Sequence, residues 1–231
     1  MRNSLARVST NNSFSPTPHR GVGHVPALRQ HASATPLRGE LTQALEHNTH
    51  MDVSMSNDFE FMTSVVESFF AKKTIKDTLA HISEFDITGW EKWIQIEFAK
   101  HCKSHPGITD WGRELRYELD KRCSKSKSSC SIDFLIRQKH KQSPLAIEIK
   151  QQSSPRGCIK SMLRDKAKLQ KIKWSQDDLR GVWCIGVHNF EPTENIKNLV
   201  EYCSKEAGTK IPEKFIFSRR IGKTQFSVTL F

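Results

Sequence analysis

The sequence predicts an α/β fold built around a mixed β-sheet. Three observations carry that expectation. Residues 56–104 place apolar side chains at three- and four-residue spacing, the period of amphipathic helices. The runs "SIDFLI", "LAIEIK" and "GVWCIGVHN" have the length and composition of strands. Between the last two, "GCIKSMLRDKAKLQKIKW" returns to helical period, as a strand–helix–strand unit requires.

The elements follow in order. In "NDFEFMTSVVESFF", Phe61, Val65, Val66, Phe69 and Phe70 form one helical stripe. A short second helix is expected over 75–82. In "DITGWEKWIQIEFAKHC", Trp90, Trp93, Ile94, Phe98 and Ala99 share a stripe. Thr88 is a candidate N-cap there, with Glu91 three residues on as in a capping box. The turn "HPGITDWG" leads to "RELRYELDKR", a candidate first strand. The second strand is expected over 129–137 and the third over 144–151. After the helix through Ile159, Met162, Leu163, Leu169 and Ile172 comes the buried strand 181–189. A helix then runs from Thr193 as cap to Gly208 as stop. "KFIFSRR" and "TQFSVTLF" close the chain as a hairpin. The predicted order is α-α-α-β-β-β-α-β-α-β-β.

Composition narrows the function classes. The 231 residues hold 36 Lys and Arg against 25 Asp and Glu, a formal net charge of +11. The pI is about 9.5. That balance points to a polyanionic partner, nucleic acid first. No apolar run approaches the roughly 20 residues of a membrane-spanning helix. The six cysteines form no CxxC pair and no zinc-type spacing with histidine. They are expected to be reduced, mostly buried thiols of a cytoplasmic protein. Residues 1–55 are rich in Ser, Thr, Pro, Gly and His, with five Arg before the first acidic residue, Glu40. They are expected to be a disordered basic tail; a transit peptide or an extension ahead of Met51 or Met55 is the alternative. Residues 56–88 then form an N-terminal helical segment, serving as a dimer surface or as a cover for the sheet edge. Residues 89–231 form the main domain.

The opening strands of that domain carry unexpected charge. If Ile136 pairs with Leu145, Asp133 lies directly opposite Glu148, and Lys150 shares their face. Ile147 and Ile149 point to the other face, toward core. Two carboxylates about 4 Å apart repel by roughly 1 kcal/mol in water and about 4 kcal/mol at an effective dielectric near 20. A divalent cation between them reverses the sign, and hard oxygen ligands suit Mg²⁺ or Mn²⁺. Lys150 would then orient or deprotonate a water or hold a transition-state oxygen. The plainer alternative is a solvated strand face.

"SIDFLI" followed by "LAIEIK" resembles the PD-(D/E)xK nuclease superfamily, whose restriction-endonuclease-like core runs α-β-β-β-α-β. The resemblance covers about residues 89–189. It implies metal-dependent cleavage of DNA phosphodiester bonds, with RNA as an alternative substrate. The family aspartate falls on Asp133 and the (D/E)xK motif on Glu148, Ile149 and Lys150, with the Ile149 carbonyl as a further metal ligand. Ile132 stands where the name motif has proline, a position without chemistry. The family's helix glutamate has two candidates, Glu91 and Glu97. Glu97 is favoured, although an ion pair with His101 is an alternative for it. On the following helix, Asp165 and Lys168 are candidates to lie near the phosphate, or to form a surface ion pair. Gln170 and Trp174 loosely resemble a QxxxY element of exonuclease relatives. Gln151, Lys139, Lys141, Arg156, Lys160 and Lys168 are the expected nucleic-acid contacts. Trp111, Trp174 and Phe190 are candidates to stack on bases, or to fill core.

Overall fold

The computed structural model describes residues 38–122, 128–172 and 179–231, with side chains from Val53 onward. Helices α1 (Arg38–Ala71), α2 (Lys73–Glu84) and α3 (Glu91–Ser104) precede strands β1 (Ile108–Glu118), β2 (Ser129–Gln138) and β3 (Leu145–Gln151). Helix α4 (Pro155–Leu169), strand β4 (Gly181–Asn189) and helix α5 (Thr193–Glu206) follow. A short 3-10 turn, Glu213–Phe215, leads into β5 (Phe217–Arg220) and β6 (Phe226–Leu230). The protein is thus α/β with a six-stranded mixed sheet, in the order β1-β2-β3-β4-β6-β5. Among the described strands, β3 and β4 alone pair in parallel, and the helical crossover α4 joins them, as parallel neighbours require.

Helices cover both faces. On one face, Met62, Val65, Val66 and Phe69 of α1, Ile75 and Leu79 of α2, and Ile94 and Phe98 of α3 pack against Phe134, Ile136, Ile147, Ile149, Ile185 and Val187. On the other, α4 and α5 pack through Cys158, Ile159, Met162, Ile196 and Val200. The alternation predicted for β3 is therefore observed: Ile147 and Ile149 enter the first core.

The N-terminal helices α1 and α2 lie on a sheet face rather than at an edge: their apolar stripes supply a third of the buried residues of that core. One buried ion pair fixes α1 further. Asp58 accepts from Nε of Arg180 at 2.9 Å, and the same guanidinium reaches Gln138 Oε1 at 2.8 Å. Burial raises the Asp58 carboxyl, and Arg180 opposes that rise.

Several boundaries differ from expectation. Helix α1 opens at Arg38, inside the stretch expected to be tail; residues 1–37 lie outside the described residues. Strand β1 begins at Ile108, so "ITDWG" is strand rather than turn, because it pairs with residues 135–138 of β2. Trp90, not Thr88, caps α3, and no side-chain capping bond forms there. Thr193 is the first residue of α5, and its hydroxyl donates to the Ser218 carbonyl instead of capping. Gly208 does stop that helix, with φ +65, a conformation that suits glycine. Ser154 caps α4 by accepting the Gly157 N–H, with Pro155 opening the first turn. The five described cysteines are free thiols.

Candidate active site

Strands β2 and β3 pair through Ile136↔Leu145, Leu135↔Ala146 and Phe134↔Ile147. The next step in that register sets Asp133 across from Glu148. There the main-chain ladder ends, and a side chain takes over: Asp133 Oδ2 accepts the N–H of Ile149 at 2.9 Å. β2 remains paired with β1 through this stretch, so the sheet opens between β2 and β3 at the level of the two carboxylates.

Four carboxylates and two ammonium groups gather at this opening. The ammonium of Lys150 lies 2.9 Å from Asp165 and 3.8 Å from Glu91. That of Lys168 lies 3.1 Å from Glu148 and 3.4 Å from Asp165. Asp165 and Lys168 are one helical turn apart on α4, so they share the face turned to β3. Glu91 opens α3, where the helix dipole favours an acidic residue, and its second oxygen accepts the Gln151 N–H at 3.0 Å.

Electrostatics follow from burial. Glu148 is only 1 % exposed. Burial first, and then repulsion from Asp133, push its carboxyl up to about 8, despite the Lys168 ammonium beside it. Lys150 behaves oppositely. Burial lowers its affinity for the proton, but the hydrogen bond and attraction to Asp165, with Glu91 and Asp133 behind, more than offset that and leave it raised. Lys150 is thus a fixed positive charge at neutral pH, unsuited to deprotonating a water. Lys168 is raised in the same way: burial lowers it, and Glu148 and Asp165 outweigh burial.

The structure brings Asp133, Glu148, Ile149, Lys150, Gln151 and Lys168 together with two further residues weighed in the sequence, Glu91 and Asp165. It does not bring Glu97. Six residues beyond Glu91 on α3, Glu97 sits about 9 Å further along the axis and about two-thirds of a turn around it. It pairs with Lys100 at 2.6 Å. The helix glutamate beside Lys150 is therefore Glu91. Without the capping box, the first turn of α3 leaves Glu91 free to reach the end of β3.

The other expected contacts are scattered. Lys139 and Lys141 lie in the β2–β3 connection, at the opposite end of β3 from Gln151. The seven residues of β3 separate those ends by about 20 Å. Arg156 and Lys160 sit on α4 and pair with Glu206 at 3.5 and 2.9 Å. Trp111 is half-buried against the core, Phe190 is exposed, and Trp174 lies outside the described residues.

One neighbour carried no sequence signal. Glu114, at φ +52 in the middle of β1, falls between the pairs Arg113↔Phe134 and Leu115↔Ile132, across from Asp133. Its carboxylate turns outward to Lys92 at 3.2 Å. An acidic residue in a strand gives no hint of a left-handed backbone.

Among the described residues, no three His, Cys, Asp or Glu side chains converge as a metal-ligand group. Two opposed carboxylates at a sheet opening nevertheless have the donor chemistry of a hard-cation site: burial is the main cause of the raised Glu148 carboxyl, and a cation would offset the second cause, the repulsion from Asp133. No family model, no curated protein and no solved structure matches the chain. No described helix is long and apolar enough to cross a membrane.

Proposed function

We propose that the protein is a Mg²⁺- or Mn²⁺-dependent nuclease, an endonuclease acting on DNA, with a restriction-endonuclease-like core formed by α3, β1, β2, β3, α4 and β4. The observation that carries this reading is the opposition of Asp133 and Glu148 at the point where β2 leaves β3, with Lys150 held beside them. The order of the elements from α3 to β4 and the resemblance of "SIDFLI…LAIEIK" support it.

Asp133, Glu148 and the Ile149 carbonyl would hold the cation, with water completing its shell. When bound, such a cation polarises a scissile phosphate and lowers the pKa of an attacking water. Lys150 keeps its proton, so its part is electrostatic: a positive charge fixed by Asp165 and Glu91 stabilises negative charge developing on the phosphate. Glu91 positions Lys150 and pins the end of β3 through the Gln151 N–H. Lys168 donates a hydrogen bond to Glu148 and, with Asp165, links α4 to the site. Net positive charge draws the substrate in.

A second reading is nucleic-acid binding without cleavage. It is favoured by Lys168, which occupies one oxygen of Glu148. One assay separates the two: incubation with supercoiled, linear and branched DNA, with Mg²⁺ and with EDTA. Cleavage that needs Mg²⁺ and disappears in Asp133→Asn and Lys150→Ala is the expected result. Binding without cleavage under every condition leaves the second reading.

A further inference from the structure

We infer that Phe190 and Arg220 form a stacking subsite for an unpaired base of the nucleic-acid substrate. The inference rests on the nucleic-acid reading above and names the substrate class: a strand with at least one base outside a duplex.

Phe190 directly follows β4 and is 44 % exposed. The ring is not loose. The Phe190 N–H donates to the Gln225 carbonyl at 2.7 Å, and the Asn189 N–H to the Ser153 carbonyl at 3.0 Å. These bonds tie it to the β5–β6 turn on one side and to the β3–α4 connection on the other. The Arg220 guanidinium lies 4.6 Å from the ring centroid. That guanidinium is itself oriented, because Nε donates to the Thr224 carbonyl at 2.8 Å and a terminal nitrogen reaches the Lys223 carbonyl at 3.5 Å. Both partners are neutral main-chain oxygens, so these bonds leave the Arg220 charge in place. Lys223 in the same turn adds a second positive charge, and Glu191 beside Phe190 is the nearest acidic residue in sequence.

A planar ring and a fixed guanidinium, together with positive charge, match the chemistry of a base attached to a phosphate. Bases stack on aromatic and guanidinium planes, and phosphates pair with the flanking cations. A base inside a duplex is stacked on its neighbours and offers no face. The position also fits. Lys150 pairs in register with Gly186, and Phe190 lies four residues beyond it, about 13 Å along the strand direction. One strand advances about 3.4 Å per stacked nucleotide. A strand crossing the site would therefore reach Phe190 roughly four nucleotides from Lys150.

Binding is measured by fluorescence anisotropy in EDTA, so that cleavage plays no part. Three labelled probes are used: a short single strand, the same sequence as a blunt duplex, and the single strand with abasic sites. Phe190→Leu keeps the apolar volume and removes the ring. It is expected to weaken binding of the intact single strand about five- to hundredfold, and binding of the duplex and abasic probes less than about twofold. Phe190→Tyr is expected to retain single-strand binding. Equal weakening for all three probes, no weakening, or failure of Phe190→Tyr to rescue would overturn the subsite. Absence of binding by the wild-type protein to any probe would overturn it together with the nucleic-acid reading. Selective loss in Phe190→Leu, in a protein that never cleaves, would uphold the subsite and sink the nuclease assignment alone.

Discussion

Glu91 and Gln151, sixty residues apart in sequence, are joined by a hydrogen bond from the Gln151 N–H to the Glu91 carboxylate. That bond sets the first turn of α3 against the end of β3 and brings a second carboxylate, after Asp165, within 4 Å of the Lys150 ammonium.

Glu91→Gln is expected to lower the cleavage rate about a hundredfold, because it loosens Lys150 and removes charge beside it. Glu97→Gln is expected to leave the rate within about twofold, as it breaks only an exposed pair with Lys100. Equal losses in the two variants, measured as single-turnover rates, would refute this assignment.

The pH dependence of stability follows from Glu148. Its folded carboxyl is raised to about 8 from an ordinary value of 4.5. The folded state therefore binds this proton more tightly than the unfolded chain. The stabilisation is complete below the unfolded value and is lost as pH rises toward 8. Metal-free protein should lose stability of the order of a few kcal/mol across that window. Glu148→Gln should flatten the loss. Mg²⁺ at a hundred times its dissociation constant should stabilise the wild type at pH 8 by about 2.7 kcal/mol, raising its melting temperature, and should stabilise Glu148→Gln far less. Calorimetry at pH 5 and pH 8, with and without Mg²⁺, checks both parts; identical Mg²⁺ responses would dissociate Glu148 from the metal.

Arg180→Met leaves the buried Asp58 carboxylate of α1 without its guanidinium partner. A loss of about 3–5 kcal/mol is expected in urea unfolding. The double variant Arg180→Met with Asp58→Leu should recover most of it, since no charge is then stranded. A double variant as unstable as the single one would show that packing, not the stranded charge, sets the cost.

Gly186→Ala should destabilise by about 1–3 kcal/mol through overpacking. A Cβ there would meet the Met162 sulfur and, at 2.8 Å, the Cys158 sulfur, both fully buried. Unchanged stability would mean that α4 can shift away from β4, and with it Asp165 and Lys168.

The strand pair at the centre was legible because one register satisfied two demands. Ile147 and Ile149 had to face core, and Ile136 opposite Leu145 was the pairing that also opposed Asp133 to Glu148. Period set which residues face core, whereas the register was assumed in the sequence and is the one the strands adopt. The helix glutamate was not legible in the same way. Glu91 and Glu97 have equal chemistry, and choosing between them needs the angle at which α3 meets β3. That angle comes from packing across the sheet, not from the local pattern. The Lys168–Glu148 pair was hidden for a similar reason: spacing on α4 shows that Asp165 and Lys168 share a face, but not which strand residue that face meets. The basic residues showed the weakest correspondence. Charge in "RQKHKQ" is visible in sequence, whereas its place at the far end of β3 is a property of strand length and direction.

The parallel pairing of β3 with β4 also dictates when the site can exist. Glu91, Asp133, Glu148 and Lys150 are all synthesised before α4, yet β4, one of the two strands that flank β3, lies beyond it. Parallel neighbours joined by a helix pair late, because the crossover must close before its contacts form. A nascent or truncated chain ending before Gly181 would hold every acidic residue of the site, along with Lys150 and Lys168, without the fold that makes their charges act on one another.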